Sequence, residues 1–473
     1  MKLNKPMVLF LLLSLSWSTL LSACGVNPPP GSASSGRRTP TVTTTATITR
    51  EATPTSMVAQ PADCPTPGTT RAANMPTDTT TAQPAVFYLT GTGSSRFFTR
   101  QDLKRYDVAT GKTTTIYYGI GGAWPELPMP ALSPDKHWLL FSSPGPITDK
   151  PSSRLLLMRT DGTQLQTLSC GIVLENQGDL EGGLIWSPDG QQVAYSGSPN
   201  DNGSQTGQWK QTIHVLNLPT GQEKLYLTNT PYTPYAWLDN QRLYVSQDVG
   251  DSPLASTRGF FLLDISKGVN QKPGDLVHIA STHAICGDLA VSTDRQKVYT
   301  TSCSPTFGVG QGAVSQGPVD VNEQPATGGS SKSLFSHQGQ AIVDIQAIDV
   351  KTVLMYIVDT HAGCTQQNGL WEMNTETRSL NQLVISPENG NCSEELSYRD
   401  TSPQIASNSQ SYTLLVTYWR GSTNSLQQTL QVGGFSGGTP TLVTATDTCS
   451  CGLILVGMVY HPSFASRMIA LCL

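Results

Sequence analysis

The segment Leu184-Ile185-Trp186-Ser187-Pro188-Asp189-Gly190-Gln191-Gln192-Val193-Ala194-Tyr195 constrains this chain more than any other. Two short apolar runs flank a Ser-Pro-Asp-Gly turn. Pro presets the turn's dihedral angle, and Gly takes backbone conformations closed to other residues. The segment therefore reads as a tight β-hairpin. A strand and a Thr-Gly turn come next at Thr212 to Gln222, and a fourth strand, Glu223 to Leu227, completes a unit. The same order recurs at Ala131-Leu132-Ser133-Pro134-Asp135, Tyr235-Ala236-Trp237-Leu238-Asp239, Ala290-Val291-Ser292-Thr293-Asp294, Ala347-Ile348-Asp349, Ile405-Ala406-Ser407-Asn408 and Met458-Val459-Tyr460-His461-Pro462. Each copy is succeeded by an apolar-aromatic run, and the turns lie roughly 50–60 residues apart, near the period of repeats that each hold four strands.

This pattern resembles the TolB-like and WD40-like β-propeller repeats, whose mark is Trp-Ser-Pro-Asp-Gly ahead of an apolar-aromatic strand. The likeness runs from about Ala85 to Leu473. It is strong at Trp186 to Tyr195, fair at Leu132 to Phe141, and degenerate elsewhere. It implies an all-β fold, a seven-bladed β-propeller over residues 85–473. Composition agrees: 43 Gly and 32 Pro accompany abundant Ser and Thr, and no long helical pattern is present. The N-terminal unit, Val86 to Tyr117, lacks an inner strand, and the C-terminal unit, Gly452 to Leu473, lacks outer ones. Joining them closes the ring and leaves no edge strand exposed. Val86 to Leu89 and Met468 to Leu471 both read as the second strand of that closing blade, which leaves an eighth partial blade open.

The N-terminus carries a different signal. Lys2 and Lys5 precede a short apolar run that ends Leu21-Ser22-Ala23-Cys24. This resembles the bacterial lipoprotein signal, in which the peptide is cut before the Cys and the thiol is acylated. Residues 1–23 are then a signal peptide, and Cys24 is the lipidation site. The resemblance implies a cell-membrane protein, anchored by lipid and facing outside the cytoplasm. Residues 24–84 are rich in Thr, Pro, Ser and Ala with few apolar side chains, a composition too poor in burial to offset ordering entropy. They are expected to form a disordered linker between the lipid and the propeller.

Ten cysteines are present. With Cys24 acylated, nine remain in an oxidising compartment, where disulfides are the default state. On the blade scheme each blade's two hairpin turns share one end, and the loops from second to third strand and between blades share the other, the crossover face. Cys170, Cys286, Cys303, Cys364, Cys392, Cys449, Cys451 and Cys472 all map to the crossover face. If Trp186 faces Val193, the matching repeat sets Val291 opposite Val298, and counting outward places Cys286 opposite Cys303. Cys364 and Cys392 flank the outer hairpin of the next blade and are the second candidate pair. The partners of Cys64, Cys170, Cys449, Cys451 and Cys472 stay open.

Chemistry is sparse by comparison. Gly434-Phe435-Ser436-Gly437-Gly438 matches a nucleophile elbow, but that motif needs a strand before it and a helix after it. Here it lies between two strand patterns. His283, His337 and His361, with Asp359, map to the crossover face of the fifth and sixth blades as candidate ligands for a divalent metal. Asn200 to Ser204 lacks the spaced carboxylates of a Ca²⁺ loop. Trp138, Trp186, Trp237, Tyr195 and Tyr244 sit at strand positions and read as packing between blades. A net charge of −5 with only 13% charged residues argues against nucleic acid as a partner. No phosphate-binding fingerprint is present, and no cofactor is implied. The expected role is binding of a protein or polysaccharide at the cell envelope, with no catalytic residues assigned. The alternatives are a metal-dependent polysaccharide lyase or hydrolase and a structural envelope component.

Overall fold

A computed structural model describes residues 63–66, 69–76, 85–92, 100–120, 130–144, 153–172, 183–197, 211–249, 257–283, 288–302, 305–307, 313–315, 318–338, 340–359, 369–385, 404–407, 411–420, 425–435, 439–446 and 453–457. All of these fall in one compact unit, Met57–Leu473. The signal peptide, Cys24, and Cys286, Cys303, Cys364, Cys392, Cys449, Cys451 and Cys472 lie outside the described residues, as does His361.

The inner hairpins show why the repeat folds as it does. Ser133, Ser187 and Ser292 donate their hydroxyls to Asp135, Asp189 and Asp294 over 2.5, 2.6 and 2.7 Å. Each Ser Oγ accepts the N–H of the residue that opens the next strand, Trp138, Gln192 or Lys297. Each Asp carboxylate accepts a further backbone N–H inside the turn, from His137, Gln191 or Gln296. The fourth turn position is left-handed in all three copies: φ is 71° at Lys136, 67° at Gly190 and 60° at Arg295. Only Gly190 adopts that conformation without steric cost.

These hairpins build seven four-stranded antiparallel sheets. Six blades are continuous in sequence. Blade 2 holds Ala131–Leu132, Trp138–Pro144, Ser153–Arg159 and Gln166–Ile172. Blade 3 holds Ile185–Trp186, Gln192–Gly197, Gln211–Asn217 and Gln222–Thr230. Blade 4 holds Thr233–Trp237, Arg242–Val249, Thr257–Asp264 and Val277–His283. Blade 5 holds Leu289–Val291, Lys297–Ser302, Pro318–Pro325 and Lys332–Gln338, with a small hairpin, Pro305–Phe307 and Ala313–Ser315, inserted between its second and third strands. Blade 6 holds Gln340–Ala347, Thr352–Asp359, Gly369–Asn374 and Leu380–Ile385. Blade 7 holds Gln404–Ser407, Ser411–Arg420, Ser425–Gly434 and Thr441–Thr446.

Blade 1 is composite. Its inner strand, Leu453–Gly457, pairs with Ala85–Thr92 through Thr90↔Leu453 and Leu89↔Ile454. Arg100–Asp107 and Thr113–Ile120 complete it. The second strand of the closing blade is therefore 85–92, and the ring has seven blades.

Seven apolar clusters, one between each pair of neighbouring blades, form the core. Trp138, Leu140 and Leu157 of blade 2 meet Trp186, Val193 and Tyr195 of blade 3. At the closure Val86 and Tyr88 of blade 1 meet Leu415, Leu430 and Val432 of blade 7. Both faces of each middle sheet are buried because alternate side chains serve alternate neighbours. The aromatic side chains pack as their strand positions imply, and they also carry polar links. Trp186 donates its ring N–H to the Ala131 carbonyl at 3.1 Å, and Trp237 to Ile185 at 3.2 Å. Each such bond ties an inner strand to the blade before it and satisfies an indole N–H that burial would otherwise leave unpaired.

One expectation changes. Residues 69–76 belong by composition to the linker, yet they lie against blades 2 and 3. Thr70 forms a bridge with Ser169, the Arg71 N–H donates to the Leu168 carbonyl at 2.7 Å, and the Ala73 N–H to Leu218 at 2.7 Å. Ala73 and Met75 pack on the cluster between those blades. The Ala73 and Met75 side chains and a set of backbone hydrogen bonds offset the ordering cost that composition alone suggested was prohibitive. Among the described residues no helix is long and apolar enough to cross a membrane.

Candidate functional site

Strand direction sorts the connections into two sets. First and third strands run toward the end that carries the hairpin turns; second and fourth strands return to the crossover end. Turns on the first end are mostly short, such as 187–191, 238–241 and 348–351. Connections leaving the crossover end are mostly longer: 198–210, 360–368 and 386–403. The inserted hairpin of blade 5 also rises from this end.

The bases of these connections are braced by buried polar groups. Asp288 is 1% exposed and sits one residue before the inner strand of blade 5. Its carboxylate accepts the Tyr235 hydroxyl from blade 4, the Leu289 N–H at 2.7 Å, and the Ile345 N–H of blade 6 at 3.0 Å. The Asp288 N–H donates to Thr301 Oγ1 at 2.9 Å, and its carbonyl accepts the Thr301 N–H at 3.0 Å. One acid thus joins three successive inner strands. In blade 4, Arg258 donates through Nε to Asp248 Oδ1 at 2.8 Å and through a terminal nitrogen to Oδ2 at 3.0 Å. This two-pronged pair closes the base of the 250–256 connection, in a geometry that suits a planar guanidinium. At the base of the 198–210 connection, Ser196 Oγ, Gln211 Oε1 and Thr212 Oγ1 are buried and find no hydrogen-bond partner among the described residues.

The metal candidates fall on this end but in separate blades. His283 closes the outer strand of blade 4 opposite Thr257. His337 pairs with Val319 near the end of the outer strand of blade 5. Asp359 pairs with Gln340 at the end of the second strand of blade 6. Among the described residues no group of three or more His, Cys, Asp or Glu side chains comes together as a metal site. Gly434 ends the third strand of blade 7 and Thr441–Thr446 is the next element, so a strand stands where a nucleophile elbow requires a helix; Ser436 lies outside the described residues.

The registers behind the Cys286 and Cys303 pairing are present. Trp186 faces Val193 and Val291 faces Val298. The ladder continues outward through Leu289 and Thr300 to Asp288 and Thr301, which hydrogen-bond to each other. Cys170, whose partner the sequence left open, lies in the outer strand of blade 2 beside Cys64. Their Cα atoms are 5.7 Å apart and their sulfurs at bonding distance.

A further polar group lies between blades 2 and 3. Tyr195, His214 and Glu223 stand on adjacent strands of blade 3. The Tyr195 hydroxyl donates to Glu223 Oε1, and its ring stacks on His214 at 4.9 Å. His214 Nδ1 lies 3.1 Å from the same carboxylate oxygen. Burial pushes the Glu223 carboxyl up, but His214 and Tyr195 outweigh it and hold it below its ordinary value. Burial and the neighbouring carboxylate push the Tyr195 phenol far up, so it stays protonated and donates. Neither this group nor Asp288 was marked in the sequence, because each depends on which strands become neighbours.

The strand order defines a seven-bladed β-propeller with one end built of tight turns and one of long connections. No protein-family model matches the chain, and no curated protein matches it in sequence. Among solved structures it is similar to TolB from Acinetobacter baumannii, at 16% identity and TM-score 0.36, covering 63% of this chain and 62% of that one. It is also similar to the periplasmic gluconolactonase PpgL of Pseudomonas aeruginosa, at 15% identity and TM-score 0.46, covering 79% and 99%. A third is the β-propeller domain of the Trilobed protease from Pyrococcus furiosus, at 11% identity and TM-score 0.40, covering 67% and 97%. The chain thus spans less than two thirds of TolB. These likenesses concern the fold alone.

Proposed function

We propose that the protein is an exported lipoprotein, acylated at Cys24, whose propeller binds a protein or polysaccharide of the cell envelope through its crossover end. The asymmetry of the connections carries this reading: turns such as 187–191 and 348–351 occupy one end, while 198–210, 360–368, 386–403 and the inserted hairpin of blade 5 leave from the other. Long connections on a rigid scaffold are where binding surfaces concentrate. Asp288, bonded to Thr301 next to the inserted hairpin, and the Arg258–Asp248 pair at the base of the 250–256 connection brace this end. The anchoring half of the reading is supported by the Leu21-Ser22-Ala23-Cys24 box.

Photo-crosslinking in the producer's envelope tests it. Crosslinkers at Thr306 and Val314 of the inserted hairpin should capture a ligand, and those at Thr110 and Thr220 in the outer turns should not. Equal capture from both ends, or none from the hairpin, ends the assignment of the crossover end. Separately, Cys24→Ala should abolish fatty-acid labelling and release the protein from the membrane fraction. Labelled lipid on that variant ends the anchoring half.

A further inference from the structure

Residues 63–66 and 69–76 form a strap along the rim of blades 2 and 3, and its course is set by the outer strand of blade 2. That strand begins at the turn end with Gln166 and finishes toward the crossover end. The strap runs antiparallel to it. Cys64 lies by Cys170, Thr70 bridges Ser169, the Arg71 N–H reaches Leu168, and Asn74 exchanges hydrogen bonds with the Gln166 side chain at 2.7 and 2.8 Å. It therefore lies along the open edge of blade 2, joined to it by a single β-bridge at Thr70. Blade 3 grips the other side: the Thr70 hydroxyl donates to the Gly221 carbonyl, and the Ala73 N–H to Leu218.

Gly221 is the tightest point. A Cβ there would meet the Ala72 nitrogen at 2.6 Å and the Arg71 carbonyl carbon at 2.9 Å. The equivalent Gly111, in the outer turn of blade 1, has the same φ of 68° and meets only the Tyr106 hydroxyl, at 3.9 Å. The same turn is thus pressed by the strap in one blade and open in the other.

We propose that the Cys64–Cys170 disulfide is a redox latch that holds the strap and decides where the tether leaves the propeller. Latched, the chain upstream of Asp63 departs from the crossover side of the rim of blade 2. Unlatched, it departs from Ala85, at the turn end of blade 1, and about 20 residues join the tether, each adding about 3.4 Å at full extension. Opening requires a dithiol reductant of the envelope. One of its thiolates attacks a cysteine sulfur, forming a mixed disulfide and expelling the other cysteine as thiolate; its second thiol then displaces the first cysteine. The products are two cysteine thiols and the oxidised dithiol. The consequence for reach rests on the anchoring proposed above, whereas the latch does not.

Tryptic cleavage after Arg71 in the full-length chain reads the strap directly, because a protease needs that backbone freed from Leu168. In the oxidised protein the cut should be slow. Dithiothreitol, or Cys64→Ser combined with Cys170→Ser, should accelerate it at least about tenfold, since the strap then closes without its covalent neighbour. Gly221→Ala should accelerate it too, with the disulfide intact, and Gly111→Ala should not. Near-ultraviolet circular dichroism verifies the fold of each variant, and if the double Cys variant fails to fold, the glycine pair decides. Equal Arg71 cleavage in wild type and the double Cys variant overturns the latch, as does non-reducing peptide mapping that links Cys170 to another cysteine. Equal acceleration by both glycine variants overturns the strap contact. Repeating the assay on Cys24→Ala, which should behave as wild type, keeps a failure of anchoring separate from a failure of the latch.

Discussion

At the scale of single residues, the turns and the buried charges carry the sharpest consequences. The fourth position of the inner hairpin is left-handed in three blades, and the residues there differ: Lys136, Gly190 and Arg295. A Cβ at Gly190 would meet nothing closer than the Pro134 Cδ at 3.8 Å, so Gly190→Ala isolates the conformational cost. It should destabilise by about 1 kcal/mol, and Lys136→Gly should stabilise by about as much. Guanidinium unfolding of the two variants checks the opposite signs. Arg295 is a poor site for the same change, because its guanidinium donates to the Leu238 carbonyl at 2.8 Å and links blade 5 to blade 4. Glu223 makes a pH prediction. Its carboxyl is held below the ordinary value of 4.5, so the stability it adds is present above that pH and is lost as pH falls through the lower, folded value. Glu223→Gln should therefore show a shallower loss of stability than wild type on acidification below about 4.5. Parallel curves would show that His214 and Tyr195 do not hold the charge.

At the scale of the element, the hairpin register is the quantity that matters, because a slip of one residue moves every side chain to the other face. The repeat pattern sets Val291 against Val298, and the ladder has that pair. The pattern carries register because Ser-x-Asp turns are local objects: the hydroxyl, the carboxylate and the backbone they bind lie within six residues of one another. The register carries the Cys286–Cys303 expectation. A loop of about 18 residues closed by that bond corresponds to about 3 kcal/mol on the chain-entropy model. Cys286→Ser should lower stability by up to that amount and leave Cys303 as a free thiol. Non-reducing peptide mapping decides the linkage; Cys303 joined to any other residue refutes it. The strap marks where local pattern is silent. Thr70 to Met75 has no strand signature of its own, and its order comes from the edge of blade 2 and the turn of blade 3.

At the scale of the whole molecule, closure rests on five residues far from their partners in sequence. Leu453–Gly457 supplies the inner strand of blade 1 and pairs with Ala85–Thr92. Truncation after Gly452 should leave that edge unpaired and uncover the cluster of Val86, Tyr88 and Leu415. The expected result is loss of the cooperative unfolding transition and aggregation, read by scattering during thermal unfolding; a truncated chain with unchanged midpoint would refute the closure. The amino-acid sequence by itself determined the repeat, the turn chemistry, the hairpin registers and the assignment of buried aromatics, because each depends on residues close together along the chain, whereas seven blades rather than eight followed from the pairing of 85–92 with 453–457. The crossover end was also legible, since strand direction comes from counting turns. Only the tertiary structure decided that Asp288 joins three blades, that Tyr195 and His214 meet at the Glu223 carboxylate, that Cys170 lies beside Cys64, and that residues 69–76 are packed. Those contacts join segments as much as 151 residues apart, and which segments meet is set by the closing of the ring and the burial it brings.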